Sequence, residues 1–415
     1  EEALKYDIKA MRDRGFNMIR KHLKIEDPLQ YYWADRLGMF VWQDMPHATY
    51  MNAKSNGGET PGRAVYEYAL ENMLNRDYNH PSVIAVMLFN ETWGIDHNGQ
   101  KASDGMTTNE WIQHLYYKTK EINPHLLVED MSPCNNDHIQ PTDLNTFHMY
   151  PKGYQGSKNT VADRERNTYP GSANNFWGGF RQESEPWLNS EFGGVAAFDG
   201  DYDVSWCFKY QTDIQRQYEK LNGYVYTEPY DIEYERNGVL TYDRRDKIFG
   251  YEDVAYGGDL SIIDLNQPNY VGVDIDPALK AAPGSQYTAP VVAMNWSGET
   301  LENPVLKWRF DATDNYGNYI TTGKSGEVPM DFAPYTREQH DISFSLPSQK
   351  GGGTFTVWIE NNGEKIAKNF VNVIVTNGKD TAPGSILTED SAVLRQAAAD
   401  SNTIQNGVGT ITYSY

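Results

Sequence analysis

Two rhythms of apolar residues divide the chain. Up to about residue 260, short and almost continuously apolar runs alternate with stretches whose apolar residues recur every three or four positions; beyond it, apolar and polar residues alternate singly. In the first part, Leu4, Ile8 and Met11 mark one face of an opening helix closed by Gly15, and "FNMIRKH" (16–22) reads as a buried strand. A helix over 28–37 ends at Gly38 before "MFVWQDMP", and Val65, Ala69 and Met73 mark a helix before "SVIAVMLFNE". A Thr107–Glu110 capping box opens a helix with Trp111 and Leu115 ahead of "HLLVED". Then come "LNTFHMYP", "PWLNSEFGG" and, after a helix marked by Ile214, Tyr218 and Leu221, "GYVYTEPYD". Seven strands are expected, near 16–22, 38–44, 83–91, 125–130, 144–150, 186–191 and 223–230.

Strands buried on both faces and separated by amphipathic helices imply a parallel sheet covered by helices. A doubly wound open sheet and an eight-stranded (β/α) barrel of ~250 residues both meet that description. No glycine-rich phosphate loop follows any strand. Polar residues instead gather at the strands' C-terminal ends: Arg20 and His22, Gln43 and Asp44, Asn90 and Glu91, Glu129, His148 and Tyr150, Glu191, Thr227 and Glu228. A barrel assembles its site where those ends converge. The expected class is therefore α/β: a (β/α)8 TIM barrel over 1–262 that lacks its first strand, followed by an antiparallel β-sandwich domain. The chain opens without Met, directly in a helix, and reads as cut from a longer one, with the missing strand upstream of residue 1.

Past about 262, Ile342, Phe344 and Leu346 alternate in "DISFSL", as do Phe355, Val357 and Ile359 in "TFTVWIE". Asn362-Gly363 is a hairpin signal before "KIAKNFVNVIV". An immunoglobulin-like β-sandwich over 263–378 is expected. Residues 379–415, polar and rich in small residues with one helical candidate at 393–398, read as a linker, a tail or the start of a further domain.

Composition narrows the partners. With 39% hydrophobic and 13% aromatic residues, the 415-residue chain can bury a large core and exceeds one ordinary domain. A formal net charge of −21 repels phosphates and argues against nucleic acid, leaving neutral or weakly charged substrates as the better fit. No apolar stretch approaches the ~18 residues of a membrane span, so no membrane partner is expected. Cys134 and Cys207 are too few and too far apart to define a disulfide framework or a metal site. Neither HExxH nor a compact His/Asp cluster occurs; "DHNG" (96–99) and His148 read as loop or hydrogen-bonding residues, and no metal or cofactor is expected. Asn295-Trp296-Ser297 matches a glycosylation sequon, a pattern common by chance.

Two glutamates carry the chemistry. Glu91 ends one expected strand and Glu191 ends another three strands later, on the far side of the same mouth. Either alone reads as a solvated strand terminus. Together at one barrel mouth they are a costly burial unless something uses or pairs them. Two carboxylates facing each other are the machinery of glycosidic bond cleavage, one protonating the leaving oxygen and the other stabilising or attacking the anomeric carbon.

The segments "GFNMIRKH", "ADRLGMFVWQDMP", "HPSVIAVMLFNETWG", "NSEFGG" and "GYVYTEPYDIEYERNGVLTYDR" resemble, in order, the catalytic barrel of glycoside hydrolase family 2, the β-galactosidases, β-glucuronidases and β-mannosidases, over roughly residues 1–250. The resemblance implies that Glu91 is the acid/base, Glu191 the nucleophile, Asn90 the residue bonding the sugar 2-hydroxyl and Tyr150 the tyrosine supporting the nucleophile. It implies a retaining exo-β-glycosidase, β-galactosidase-like as a first reading, acting on a carbohydrate substrate. A jelly-roll domain and an immunoglobulin-like domain would precede the barrel, and family habit would place the protein in the periplasm or outside the cell. "IRKH" departs from the family's Arg-x-x-His segment, which leaves the sugar open. Arg20 and His22 bind sugar hydroxyls or form a structural ion pair; Asp44 bonds a sugar or organises the barrel; Trp93 and Trp177 are sugar platforms or core. The competing functions are a catalytically inactive carbohydrate-binding or scaffold protein and an endo-acting barrel glycosidase.

Overall fold

The computed structural model describes residues 1–47, 61–92, 95–97, 99–151, 154–193, 204–233, 235–249, 260–273, 278–314 and 316–377. Trp93 and the segment 379–415, with its helical candidate at 393–398, lie outside the described residues.

All seven expected strands form in order: β1 (Met18–Lys21), β2 (Phe40–Asp44), β3 (Val83–Asn90), β4 (Leu127–Ser132), β5 (Asn145–Met149), β6 (Trp187–Gly193) and β7 (Leu221–Thr227). Helix α1 (Glu2–Arg12) precedes β1, and helices α2 (Pro28–Leu37), α3 (Pro61–Arg76), α4 (Thr108–Ile122), α5 (Tyr154–Asn167) and α6 (Val204–Gln217) lie between the strands in sequence. Pairing is parallel throughout, in one sheet ordered β1-β2-β3-β4 and another ordered β5-β6-β7. Between β4 and β5, Asp143 N–H donates to the Val128 carbonyl at 2.9 Å and His148 N–H to the Pro133 carbonyl at 3.1 Å. No ladder joins β4 to β5 or β7 to β1 among the described residues.

Local chemistry explains the boundaries. Asp27 caps α2 by accepting from Leu29 N–H, Pro28 starts it, and Gly38 ends it at φ 70, where a side chain would be strained. The Thr107–Glu110 capping box opens α4 as expected, with both reciprocal bonds made. Two helix faces differ from expectation. Val65 is 68% exposed, and the buried stripe of α3 runs through Tyr66, Leu70, Met73 and Leu74, because the Tyr66 ring stacks on Phe89 at 5.1 Å and meets Trp111. Helix α6 ends at Gln217, so Tyr218 lies beyond it, and Leu221 instead opens β7 by pairing with Trp187.

The two parallel sheets share one interior cluster. Met18, Trp42, Ala85, Met87, Leu144, Leu188 and Val225 pack together, drawn from β1, β2, β3, the entry to β5, β6 and β7. Side chains alternate along a strand, so two residues onward from this apolar layer stand Arg20, Asp44, Thr146, Ser190 and Thr227, and two further His22 and His148. That step turns the sequence alternation into a polar mouth above an apolar floor. A second layer of core lies between strands and helices, centred on Phe89, Trp111, Leu115 and Val128 on one side and on Phe192, Phe208 and Tyr226 on the other.

Beyond α7 (Ile262–Asn266) come the strands β8 (Asn269–Val273), β9 (Ala278–Ala281), β10 (Gln286–Asn295), β11 (Pro304–Thr313), β12 (Tyr319–Pro329), β13 (Thr336–Ser345), β14 (Gly351–Asn361) and β15 (Glu364–Val375). They form two sheets, β13-β10-β8 and β12-β11-β14-β15-β9, antiparallel except where β9 runs parallel to β15. Phe310, Phe344, Phe355 and Val357 belong to the core both sheets share. Asn362-Gly363 makes the expected hairpin turn, with Asn361 paired to Glu364. The sheets are tied to α6, since Tyr270 Oη and Asn369 Nδ2 both donate to Asp213 Oδ1 at 2.7 Å. Asn295 is fully buried and its amide donates to the carbonyls of Glu299, Phe332 and Ala333, so the sequon's acceptor nitrogen is engaged inside the fold.

Candidate active site

The apolar run of β3 ends where Glu91 and Thr92 take the left-handed conformation, φ 53 and 57, which β-region residues of a strand do not adopt. Glu91 N–H donates to the Ser132 carbonyl at 2.9 Å and Thr92 Oγ1 to the Glu91 carbonyl at 2.6 Å. These bonds hold the turn, and the Glu91 carboxylate meets His148 at the end of β5 while staying open to the mouth. Across the mouth, Glu191 sits within β6, its N–H bonded to Asn189 Oδ1 at 3.1 Å, while Asn189 Nδ2 is anchored on Gln215 of α6 at 2.7 Å. Gly193 follows because a Cβ there would lie 2.2 Å from the Thr227 carbonyl oxygen, which leaves β6 free to press against the end of β7.

The two carboxylates meet. Glu91, His148 and Glu191 each contribute an oxygen or nitrogen such that all three atoms lie within 4.8 Å of one another. Glu91 is 20% and Glu191 16% exposed at the side chain, so both are accessible from the mouth. Tyr150 Oη donates to Glu191 Oε1 at 2.6 Å. Burial first, and then the Glu191 charge, push the Tyr150 phenol well above its ordinary pKa and keep that donor protonated. His148 Nδ1 lies 2.6 Å from Glu91 Oε1, while its Nε2 lies 2.8 Å from Ser132 Oγ and 3.5 Å from Glu191 Oε2. The contacts to Glu91 and Ser132 are hydrogen bonds, and the longer one to Glu191 is within ion-pair range.

Arg20 ties the mouth together. Its Nε reaches both Asp44 oxygens at 3.2 and 3.0 Å, Nη1 reaches the Ser190 carbonyl at 2.9 Å and Glu191 Oε2 at 3.2 Å, and Nη2 reaches Asn90 Oδ1 at 2.8 Å. Burial alone would lower the guanidinium's pKa, but Asp44 and Glu191 outweigh it, so Arg20 stays cationic. The Asn90 carbonyl oxygen is therefore held, and its backbone N–H donates to His47 Nε2 at 3.3 Å. Asp44 is fully buried, shared by Arg20, Leu23 N–H and, at 3.4 Å, His22, whose own ring is half exposed. Asp44 thus lies without solvent exposure, bonded to Arg20 and Leu23. Trp177 is exposed and stacks on His97, ring centroids 5.0 Å apart, while His97 Nδ1 is bonded to Asn109 at 2.7 Å.

Three further acids lie around this centre. Glu129 is fully buried beneath it, with Oε1 bonded to the Thr146 hydroxyl and Oε2 without a hydrogen-bond partner among the described residues; burial drives its pKa well above the ordinary value, only partly opposed by Thr146 and Arg20. Glu228, just past β7, is pushed up to about 8 by burial, with Glu235 and Asp231 adding to it. Burial and then Glu191 raise Glu235 as well. Ser132 and Ser190, which the strand-end inventory passed over, complete the centre: Ser132 Oγ donates to Ser190 Oγ at 2.7 Å. Their signal was the alternation that put Ser190 two residues after Leu188.

Comparison with known proteins adds the lineage. Residues 1–260 match the family model described as "Glycosyl hydrolases family 2, TIM barrel domain". A putative beta-glucuronidase of Formosa agariphila is 24% identical over 189 residues, 45% of this chain and 20% of that protein. A beta-galactosidase of Pectobacterium atrosepticum is 31% identical over 101 residues, 24% of this chain and 10% of that one. Among solved structures, a Bacteroides uniformis beta-glucuronidase superposes with a TM-score of 0.49 at 14% identity, covering 90% of this chain and 43% of that one. The matched regions thus span a fifth or less of the curated relatives and under half of that solved chain.

Proposed function

The chain belongs to glycosyl hydrolase family 2, and on that premise we propose that it carries the catalytic centre of a retaining exo-β-glycosidase that releases terminal β-linked sugars by double displacement. One observation carries this reading: carboxylate oxygens of Glu91 and Glu191 come within 4.8 Å of each other. Retaining enzymes hold the pair ~5–5.5 Å apart, whereas inverting ones leave ~6.5–9.5 Å for a water.

Glu191, oriented by Tyr150 and Arg20, attacks the anomeric carbon; Glu91 protonates the departing oxygen and then takes a proton from the water that opens the glycosyl ester. The Asn90 side chain, its oxygen held by Arg20, turns its amide NH₂ to the sugar 2-hydroxyl. His22, half exposed, stands where a further hydroxyl contact fits. Among the described residues, Arg20 is already engaged by Asp44 and Glu191, and Lys247 by Asp231 at 2.6 Å. A neutral glycone suits such engaged cations, and the β-galactoside is kept as the first reading to test. In the same proposal, residues 1–262 form the barrel domain, 263–378 an immunoglobulin-like sandwich, and N-terminal domains and a first barrel strand belong to the whole protein.

The test is a panel of nitrophenyl β-glycosides (galactoside, glucuronide, mannoside, glucoside and glucosaminide) offered to this chain and to an N-terminally extended one, each beside Glu191→Gln. Release that disappears in the control, with the first product anomer β by proton NMR, is expected. An α first product would refute double displacement. Glu91→Ala is expected to slow alkyl glycosides about 10²–10⁴-fold relative to dinitrophenyl ones, the usual reach of general acid catalysis; equal losses on both would remove Glu91 from the acid role.

A further inference from the structure

A hydrogen-bonded relay leaves the acid/base on the side away from the sugar. It runs from Glu91 Oε1 to His148 Nδ1 (2.6 Å), from His148 Nε2 to Ser132 Oγ (2.8 Å), from Ser132 to Ser190 Oγ (2.7 Å) and from Ser190 to the Phe147 carbonyl (3.4 Å). Its polarity follows from the far end. A carbonyl oxygen only accepts, so Ser190 donates to Phe147; the Ser132 proton then goes to Ser190, and Ser132 Oγ must accept from Nε2–H. The second neighbour of Nε2, Glu191 Oε2 at 3.5 Å, is also an acceptor when ionised, which favours the same tautomer. Between Nδ1 and Glu91 there is then room for one proton. Without it, a nitrogen lone pair would face a carboxylate oxygen.

We propose that His148 is a positioning residue that shares a single proton with Glu91, its ring fixed in the Nε2–H form by Ser132 and Ser190. This rests on the glycosidase reading for its consequence, though not for its geometry. In the first step the Glu191–anomeric carbon bond forms, the glycosidic C–O bond breaks and the pair's proton passes from Glu91 to the leaving oxygen. In the second, water bonds to the anomeric carbon, the ester to Glu191 breaks and the water's proton returns to the pair. His148 is 2% exposed, so the shared proton enters and leaves through Glu91. Among the described residues, the charged or titratable groups around the pair include Glu191 on β6, Arg20 on β1 and Tyr150 after β5, both bonded to Glu191, and Cys134 after β4, whose thiol burial and then Glu91 push up to about 11. Of these, only Glu191 touches the imidazole.

The decisive experiment is ¹⁵N NMR of the histidines in this whole chain, with His148 assigned by its loss in His148→Asn. Nε2 is expected to stay protonated across the titration, and replacing Glu91 by Gln is expected to lower the ring's midpoint by at least about one pH unit, tenfold in proton affinity. A midpoint that moves by less than about 0.3 units, or a neutral ring protonated at Nδ1, overturns the proposal. With an active enzyme, His148→Asn is expected to lose at least about tenfold more kcat/KM on alkyl than on dinitrophenyl glycosides and to move the alkaline limb of the former to lower pH. Equal losses with an unmoved limb, repeated in His148→Gln, would make the histidine merely structural. If no glycoside is hydrolysed, the functional reading falls, and the NMR result still decides whether the proton is shared.

Discussion

Replacing Arg20 by Met tests the organisation of the mouth at its most connected point. The guanidinium reaches Asp44, Ser190, Glu191 and Asn90 together, and its removal leaves Asp44, with no solvent exposure, as an uncompensated anion. Breaking a buried pair in that way costs about 3–5 kcal/mol. Leu23 N–H at 3.3 Å and His22 at 3.4 Å still touch Asp44, so the lower end, about 3 kcal/mol, is expected. Urea unfolding followed by tryptophan fluorescence reads it, because Trp42 lies in the apolar layer directly beneath. Arg20→Met/Asp44→Asn, which removes the stranded charge, should recover at least about 1 kcal/mol. A loss under about 1 kcal/mol in Arg20→Met, or no recovery in the double variant, would refute the argument.

Two other acids give separate tests. Burial raises the Glu129 pKa well above its ordinary value, and with the carboxyl protonated Glu129→Gln should change urea stability at pH 7 by less than about 1 kcal/mol, whereas Glu129→Ala should cost about 2–3 kcal/mol through the cavity it opens; a large loss with Gln would mean the carboxylate is ionised. Glu228, held up to about 8, keeps its proton in the folded state after the unfolded chain has lost it near 4.5. Its contribution is thus full at acid pH and declines as pH rises from about 4.5 through 8, so Glu228→Gln should match the parent near pH 4.5 and exceed it by on the order of 2 kcal/mol at pH 8.5; identical slopes would dismiss it.

The strands were legible because each is an apolar run bounded by turn residues, and all seven appear within a few positions of expectation. The helix faces were less so. On α3, Val65 and Tyr66 are adjacent and both apolar, and only the position of Phe89 and Trp111 in space decides that the tyrosine turns inward. Helix α5 escaped notice because "YQGSKNTVADRERN" carries one apolar residue, Val161, that is buried, and no periodic stripe surrounds it. At the mouth, a glutamate at a strand end is visible, but its distance from another is not. Nor does position near a strand end distinguish Glu91, open to the mouth, from Glu129, sealed below it: each closes an apolar run, Glu129 directly after Val128 and Glu91 after Phe89 with Asn90 between them.

What separates these two glutamates is depth along the strand. Glu129 lies within β4 with three further strand residues beyond it, whereas Glu91 comes after the last residue of β3 and turns through a left-handed step. An acid one layer too deep meets Thr146 and a neighbouring apolar floor, and burial raises its pKa. An acid one residue past the strand meets His148, Ser132's carbonyl and open solvent at once. The apolar run "SVIAVMLF" does more than fill a core, therefore. It sets the height at which Asn90 and Glu91 emerge, and at that height alone Glu91 reaches both the opposing Glu191 and the histidine behind it. Shifting β3 by one residue would move each side chain to the other face and separate the pair, which is why a rigid strand precedes so short a motif.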